Sequence, residues 1–142
     1  MAENFHTNPE AAVRNLFNKS ERLRHRKNIK RLFEHGRWCD FAVIRMVHVS
    51  VIPKEVKVSH QVLFTISKKL SLNACHRNTL KRRMREAYRV SKSLLCDIKS
   101  VRLLIGYVYV GNNKNSNYRT INQSIHASIE HLNSLYTNTV IC

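Results

Sequence analysis

Between His76 and Lys92 the sequence HRNTLKRRMREAYRVSK gathers side chains suited to one kind of chemistry, the neutralisation of phosphate. At roughly 100° per residue, Leu80, Met84, Ala87, Tyr88 and Ser91 fall on one side of a helix, and Leu94 and Leu95 continue that side. Asn78, Lys81, Arg82, Arg85, Arg89 and Lys92 fall on the other side. One face is suited to packing on a sheet while the other displays a row of cations. Like charges at i,i+4 repel by a few tenths of a kcal/mol per pair, and a phosphate backbone reverses the sign of that cost. Arginine adds a planar fork that matches phosphate oxygens. A charged helix face is most often merely solvated. Here only Glu86 offsets the positive residues from Arg77 to Lys92, which favours nucleic-acid contact. Periodicity does not choose between RNA and DNA. Arg77 lies near the edge of the apolar side, close enough to the helix start for its stem to reach around the terminus. Arg83 lies off the main row and is expected to be solvated.

Other chemistries are poorly supplied. The chain has 142 residues, with 25 Lys and Arg against nine Asp and Glu, and a formal net charge of +16. Such an excess calls for an anionic partner. Asp40 and Asp97 are the only two aspartates, and three of the seven glutamates lie in the first 21 residues. A protein-based two-metal nuclease gathers several carboxylates around its ions, so no catalytic and no metal-binding residue is predicted. Among the eight histidines no close pair stands beside a carboxylate, and His126 and His131 fall on different faces of the last helix. Cys39, Cys75, Cys96 and Cys142 show no CxxC spacing, which speaks against zinc, and they read as reduced thiols. No apolar run approaches the ~18 residues that span a bilayer, and the N-terminus lacks the pattern of a secretory signal. No membrane partner is expected, and the cytoplasm is the expected location.

The elements that must position the basic row follow from pattern. Residues 1–20 are polar, carry Pro9 and read as a flexible tail. Residues 21–138 form the expected single domain. Its first helix contains NIKRLFEHG, with Ile29, Leu32 and Phe33 at helical spacing and Gly36 where a left-handed C-cap would stop it. FAVIRMVHV at 41–49 and VKVSHQVLFTIS at 56–67 read as strands, expected to pair antiparallel, with a turn at Pro53. The basic helix is expected from Ala74 to Leu95 with Asn73 as its N-cap. VRLLIGYVYV at 101–110 reads as a buried strand. A last helix starts near Tyr118, capped either by Asn117 or by a Thr120–Gln123 box. Tyr118, Ile121, Ile125, Ile129, Leu132 and Tyr136 form its apolar stripe. Helices and a small sheet make an α+β domain.

RNTLKRRMREAYR resembles the signature of the bacterial ribonuclease P protein subunit, approximately R-N-x-x-K-R-x-x-R-E, which Arg77, Asn78, Lys81, Arg82, Arg85 and Glu86 match. The preceding FTISKKLSLNACHRN resembles that family's strand, double-Lys turn and helix entry, and RLRHRKNIKRLFEHG its N-terminal helix. The resemblance covers residues 22–136. Departures are Thr79, where many members are basic, the turn Leu70–Asn73, which is often shorter and contains Gly, and Ile29, where an aromatic is common. The resemblance implies an α-β-β-β-α-β-α fold with a mostly antiparallel sheet, an extra short strand around Arg37–Cys39 and the central basic helix in a left-handed crossover. It implies a chain that assists a catalytic RNA in removing the 5′ leader of precursor tRNA, with hydrolysis and magnesium belonging to the RNA and no cofactor on the protein. Arg77, Asn78, Lys81, Arg82 and Arg85 would contact the catalytic RNA, and Arg89 continues that row. Ile29, Phe33 and Ile44 would line a leader cleft, with Lys68 and Lys69 guiding phosphates. The alternative is a ribosomal structural RNA-binding protein. A zipper-type DNA-binding helix lacks its dimerisation seam.

Overall fold

The computed structural model describes residues 17–51, 60–70, 72–95, 102–112 and 116–141. Its elements are α1 (Arg26–His35), β1 (Arg37–Phe41), β2 (Ile44–Val51), β3 (Gln61–Ile66), α2 (Ala74–Ser91), β4 (Arg102–Tyr109) and α3 (Tyr118–Ile141), with 3-10 turns at Lys19–Glu21 and Lys92–Leu94. This is the expected α-β-β-β-α-β-α order. The expected turn at Pro53, most of the tail, and Cys96 and Cys142 lie outside the described residues. Phe17, which the pattern assigns to the tail, packs its ring edge-on against Phe64 at 5.7 Å and Tyr88 at 5.9 Å.

The sheet order is β1-β2-β4-β3. β2 runs antiparallel to both β1 and β4, whereas β3 runs parallel to β4. The expected antiparallel pairing of 41–49 with 56–67 therefore does not form, because β4 lies between those two stretches. The cause is composition. Leu103 to Tyr107 are buried without a break, so β4 is apolar on both faces and takes the centre. β3 reaches it through the α2 crossover, as a parallel pair requires.

One sheet face carries Ile44, Met46, Phe64, Ile105, Tyr107 and Tyr109 against Leu80, Met84 and Tyr88 of α2 and Ile121, Ile125 and Ile129 of α3. Each such side chain contributes about 1.5–3 kcal/mol on burial. The Tyr107 hydroxyl meets Ser128 Oγ at 2.9 Å, so its polar end is satisfied within the core. Among the described residues the other face is covered only in part, by α1, through a smaller cluster of Leu23, Leu32, Val47, Val51 and Leu104. Gly106 makes that approach possible. A Cβ there would stand 2.9 Å from Val47 Cγ1 and 3.1 Å from Leu32 Cδ2.

Several boundaries differ from the pattern. Gly36 ends α1 at φ −75° and ψ 158°, an extended conformation and not a left-handed one. Glycine is needed there for space, since a Cβ would lie 2.3 Å from Leu32 O and 2.5 Å from Val47 Cγ2. The strand expected from Phe41 is broken by the two-residue turn Ala42–Val43 between β1 and β2, and Ala42 takes φ 51°. The basic helix ends at Ser91, leaving Leu94 46% exposed, although Leu95 is buried. Asn117 caps α3 by accepting from Thr120 N at 2.9 Å. Tyr118 is 37% exposed and does not belong to the core stripe that runs from Ile121 to Leu132.

Candidate RNA interface

The polar face of α2 is built by two local devices. Asn73 Oδ1 accepts from His76 N at 2.8 Å and starts the helix. Leu80, Met84, Ala87, Tyr88 and Ser91 are buried and fix its rotation, as the periodicity requires. Asn78 and Arg82 are then exposed, while Lys81 and Arg85 are half-exposed. None of these four side chains has a hydrogen bond or ion pair among the described residues. Their donors face solvent in a row and can meet phosphate oxygens without breaking a protein contact.

The remaining cations of the helix have partners. Arg77 donates from Nη2 to Leu70 O at 2.8 Å and from Nε to Leu72 O at 3.1 Å, so its stem does reach around the terminus and fastens the loop before α2. Arg83, expected to be solvated, instead donates to Ser116 O at 2.5 Å and ties α2 to the start of α3. Arg89 makes two bonds to the Glu86 carboxylate, at 2.9 and 2.6 Å. That pairing holds the Glu86 carboxyl below its usual range and raises the Arg89 guanidinium. Lys92, expected on the open row, bonds both oxygens of Glu21 at 2.9 and 3.0 Å, with the two side chains 11% and 12% exposed. Pattern alone cannot separate these groups, because Ser116 and Glu21 are far away in sequence.

A second surface lies on the α1 side of the sheet. Leu32 is buried there and Ile29 is half-buried beside it. Phe33 remains 38% exposed with its ring tilted against Trp38 at a centroid distance of 5.8 Å. The Arg45 guanidinium sits 4.9 Å over the Trp38 ring and donates from Nε to Asp40 Oδ1 at 2.8 Å. Pairing aligns Asp40 with Arg45, Arg45 with Val108, and Val108 with Thr65. This cross-strand row lies at the end of the sheet where β3 turns into the exposed Lys68 and Lys69. Ile44 does not belong to this surface. It is 0% exposed and packs with the α2–α3 core, because alternation along β2 turns Arg45, not Ile44, toward α1.

A family model described as Ribonuclease P matches residues 17–133. The chain belongs to the ribonuclease P protein family. A ribonuclease P protein component of Chlorobium phaeobacteroides is 36% identical over 110 residues, covering 70% of this chain and 75% of that one. One from Porphyromonas gingivalis is 32% identical over 114 residues, covering 78% and 82%. Among solved structures, the ribonuclease P protein of Thermotoga maritima aligns with a TM-score of 0.59 at 20% identity, over 78% of this chain and 96% of that one. That of Staphylococcus aureus aligns with a TM-score of 0.55 at 22% identity, over 85% and 92%. These two likenesses bear on the fold.

Ribonuclease P is an endoribonuclease, and this chain is a member of its protein component family. The structure brings Asn78, Lys81, Arg82 and Arg85 together on one face and Ile29 and Phe33 together on another, and it removes Ile44 from the second. Sequence reasoning missed Trp38 and Arg45. Their signal was the alternation of β1 and β2, readable only once the register was fixed. Among the described residues no three His, Cys, Asp or Glu side chains group to hold a metal. No helix there is long and apolar enough to cross a membrane.

Proposed function

We propose that the chain acts as the accessory subunit of ribonuclease P, binding the catalytic RNA through α2 and the single-stranded 5′ leader of precursor tRNA beside α1. Asn78, Lys81, Arg82 and Arg85 would hold RNA phosphates, with Arg77 shaping the loop that begins the surface and Arg89 offered as an ion pair. In the cleft, Ile29 and Phe33 would form an apolar side and Trp38 with Arg45 a flat platform. Lys68 and Lys69 would draw phosphates at the end of the strand. Single strands are held in this way, by cationic grooves with aromatic faces and little demand on sequence. Hydrolysis belongs to the RNA with its magnesium ions. The sparse carboxylates of the chain support that assignment. We place the assembly in the cytoplasm.

The observation that carries this reading is the pairing of an unpartnered cation row on one side of the sheet with an aromatic cleft on the other. A ribosomal structural protein would bind one folded RNA and would have no use for such a cleft. The test is cleavage of precursor tRNA by a matching catalytic RNA at low magnesium, with and without the protein. Stimulation that disappears at high magnesium is expected. No stimulation under any condition would refute the reading.

A further inference from the structure

α1 has a third flank that neither contact uses. Arg31 and Phe33, two positions apart, project about 160° from each other around the helix axis. Phe33 points along the sheet toward Trp38 and Gly106. On the opposite flank, an open groove of about 660 Å³ runs between α1 and Val49 of β2, lined by Lys27, Lys30, Arg31, Glu34 and His35. Lys27 and Arg31 are exposed and have no hydrogen bond or ion pair among the described residues. Among the described residues Glu34 is the one acid lining the groove. It is shared loosely by Lys30 at 3.9 Å and His35 at 4.0 Å. Among the described residues three permanent cations thus face one carboxylate in a groove open to solvent, and no acidic group there pairs with Lys27 or Arg31.

We infer that this groove is a separate phosphate-binding surface that holds a second segment of the large RNA partner. This rests on the reading that the chain binds the catalytic RNA. The occupant follows from placement. A single-stranded leader lying against Phe33 is separated from the groove by the width of α1, about 10 Å with side chains. The α2 row lies on the other face of the sheet. An RNA that touches both α2 and the far flank of α1 must be folded and large enough to wrap an edge of the domain. The groove offers mainly charge and no Phe, Tyr or Trp ring in its lining, so it suits backbone phosphates more than base readout. The domain then acts as a wedge between two RNA segments, leaving the leader cleft open between them.

The experiment uses the full chain and the catalytic RNA, with Lys27→Ala/Arg31→Ala set against Lys19→Ala/Arg119→Ala, a pair of exposed cations on other elements with the same loss of charge. The groove variant is expected to weaken binding about tenfold more than the control and to reduce the salt slope of log K by about 1–2. Hydroxyl-radical footprinting should show protection lost at an RNA segment different from the one lost with Arg82→Ala/Arg85→Ala. Glu34→Gln should tighten binding, an outcome that misfolding cannot mimic. Affinity for a single-stranded leader oligonucleotide should stay unchanged. Equal weakening by groove and control variants, or loss of the same RNA segment as the α2 variant, overturns the inference while leaving the accessory-subunit reading intact. Failure of the wild-type chain to bind the RNA overturns both.

Discussion

A cation on α2 is free to meet phosphate only if no acceptor of the chain already holds it, and the row divides on that criterion. Among the described residues Lys81, Arg82 and Arg85 are open, whereas Arg77, Arg83, Arg89 and Lys92 are held by carbonyls or carboxylates. Arg82→Ala and Arg85→Ala should therefore weaken binding of the catalytic RNA and leave the melting temperature nearly unchanged. Met84, 0% exposed on the opposite face, should behave in the reverse sense: Met84→Ala should cost about 2–5 kcal/mol in urea unfolding. Unfolded Arg variants beside a stable Met84 variant would mean that the faces are reversed. His48 gives a second residue-scale test. It is buried between sheet and α3, with Nδ1 3.0 Å from Tyr136 Oη. Burial first, then the charges of His131 and Arg37, lower its pKa from 6.5 to about 4. Above pH 6.5 both folded and unfolded chains hold it neutral, so the full contribution is present. As pH falls from 6.5 toward 4 the unfolded chain takes up a proton that the native site refuses, and stability is lost, by about 2 kcal/mol at pH 5. Urea midpoints at pH 7 and pH 5 for wild type and His48→Leu measure this. A difference between the two proteins that does not change with pH would show that His48 is not the titrating group.

At the scale of elements, the β1–β2 hairpin carries a local conflict. Its two-residue turn places Ala42 at φ 51°, a conformation that costs an L-residue with a Cβ roughly 1–2 kcal/mol. Ala42→Gly should raise stability by about 1 kcal/mol, partly offset by the greater freedom of glycine in the unfolded chain. An unchanged or lower urea midpoint would show that the turn is not strained. How much was readable in advance follows the same division. α2 and its two faces were legible, because a period of 3.6 is written locally and Leu80, Met84 and Tyr88 obey it. The run at 101–110 was legible as a strand, but its central place was not. Strand order depends on pairing between distant segments, and the crossover makes β3 parallel to a strand about forty positions further along. Ile44 was misassigned for the same reason: with a period of two, one step of register exchanges Ile44 for Arg45. In sequence Gly36 reads as a helix stop and Gly106 as one residue of a buried strand. Their role is the close approach of α1 to Val47, which no local pattern encodes.

For the whole molecule the sheet is the divider. α2 and α3 cover one face, and α1 leaves part of the other open beside Phe33, Trp38 and Arg45. On the proposed function, a subunit arranged in this way would hold a folded RNA on one side and a single strand on the other, and would distinguish a precursor from its product by the leader alone. Phe33 tests that division. Its ring is partly exposed and rests on Trp38, not deep in the core, so truncating it should leave the fold and the α2 surface intact. Loss of a base–aromatic stack costs about 1–3 kcal/mol, or roughly 5- to 150-fold in affinity. Phe33→Ala, assembled with the catalytic RNA, should lose that factor for precursor tRNA carrying a 5′ leader and almost none for mature tRNA. Raising the salt should weaken wild-type binding of the precursor, since Lys68 and Lys69 release counterions on meeting phosphate. If precursor and mature tRNA lose affinity equally in the variant, while catalytic-RNA binding stays at the wild-type level, Phe33 supports the assembly as a whole and the leader follows another path across the sheet.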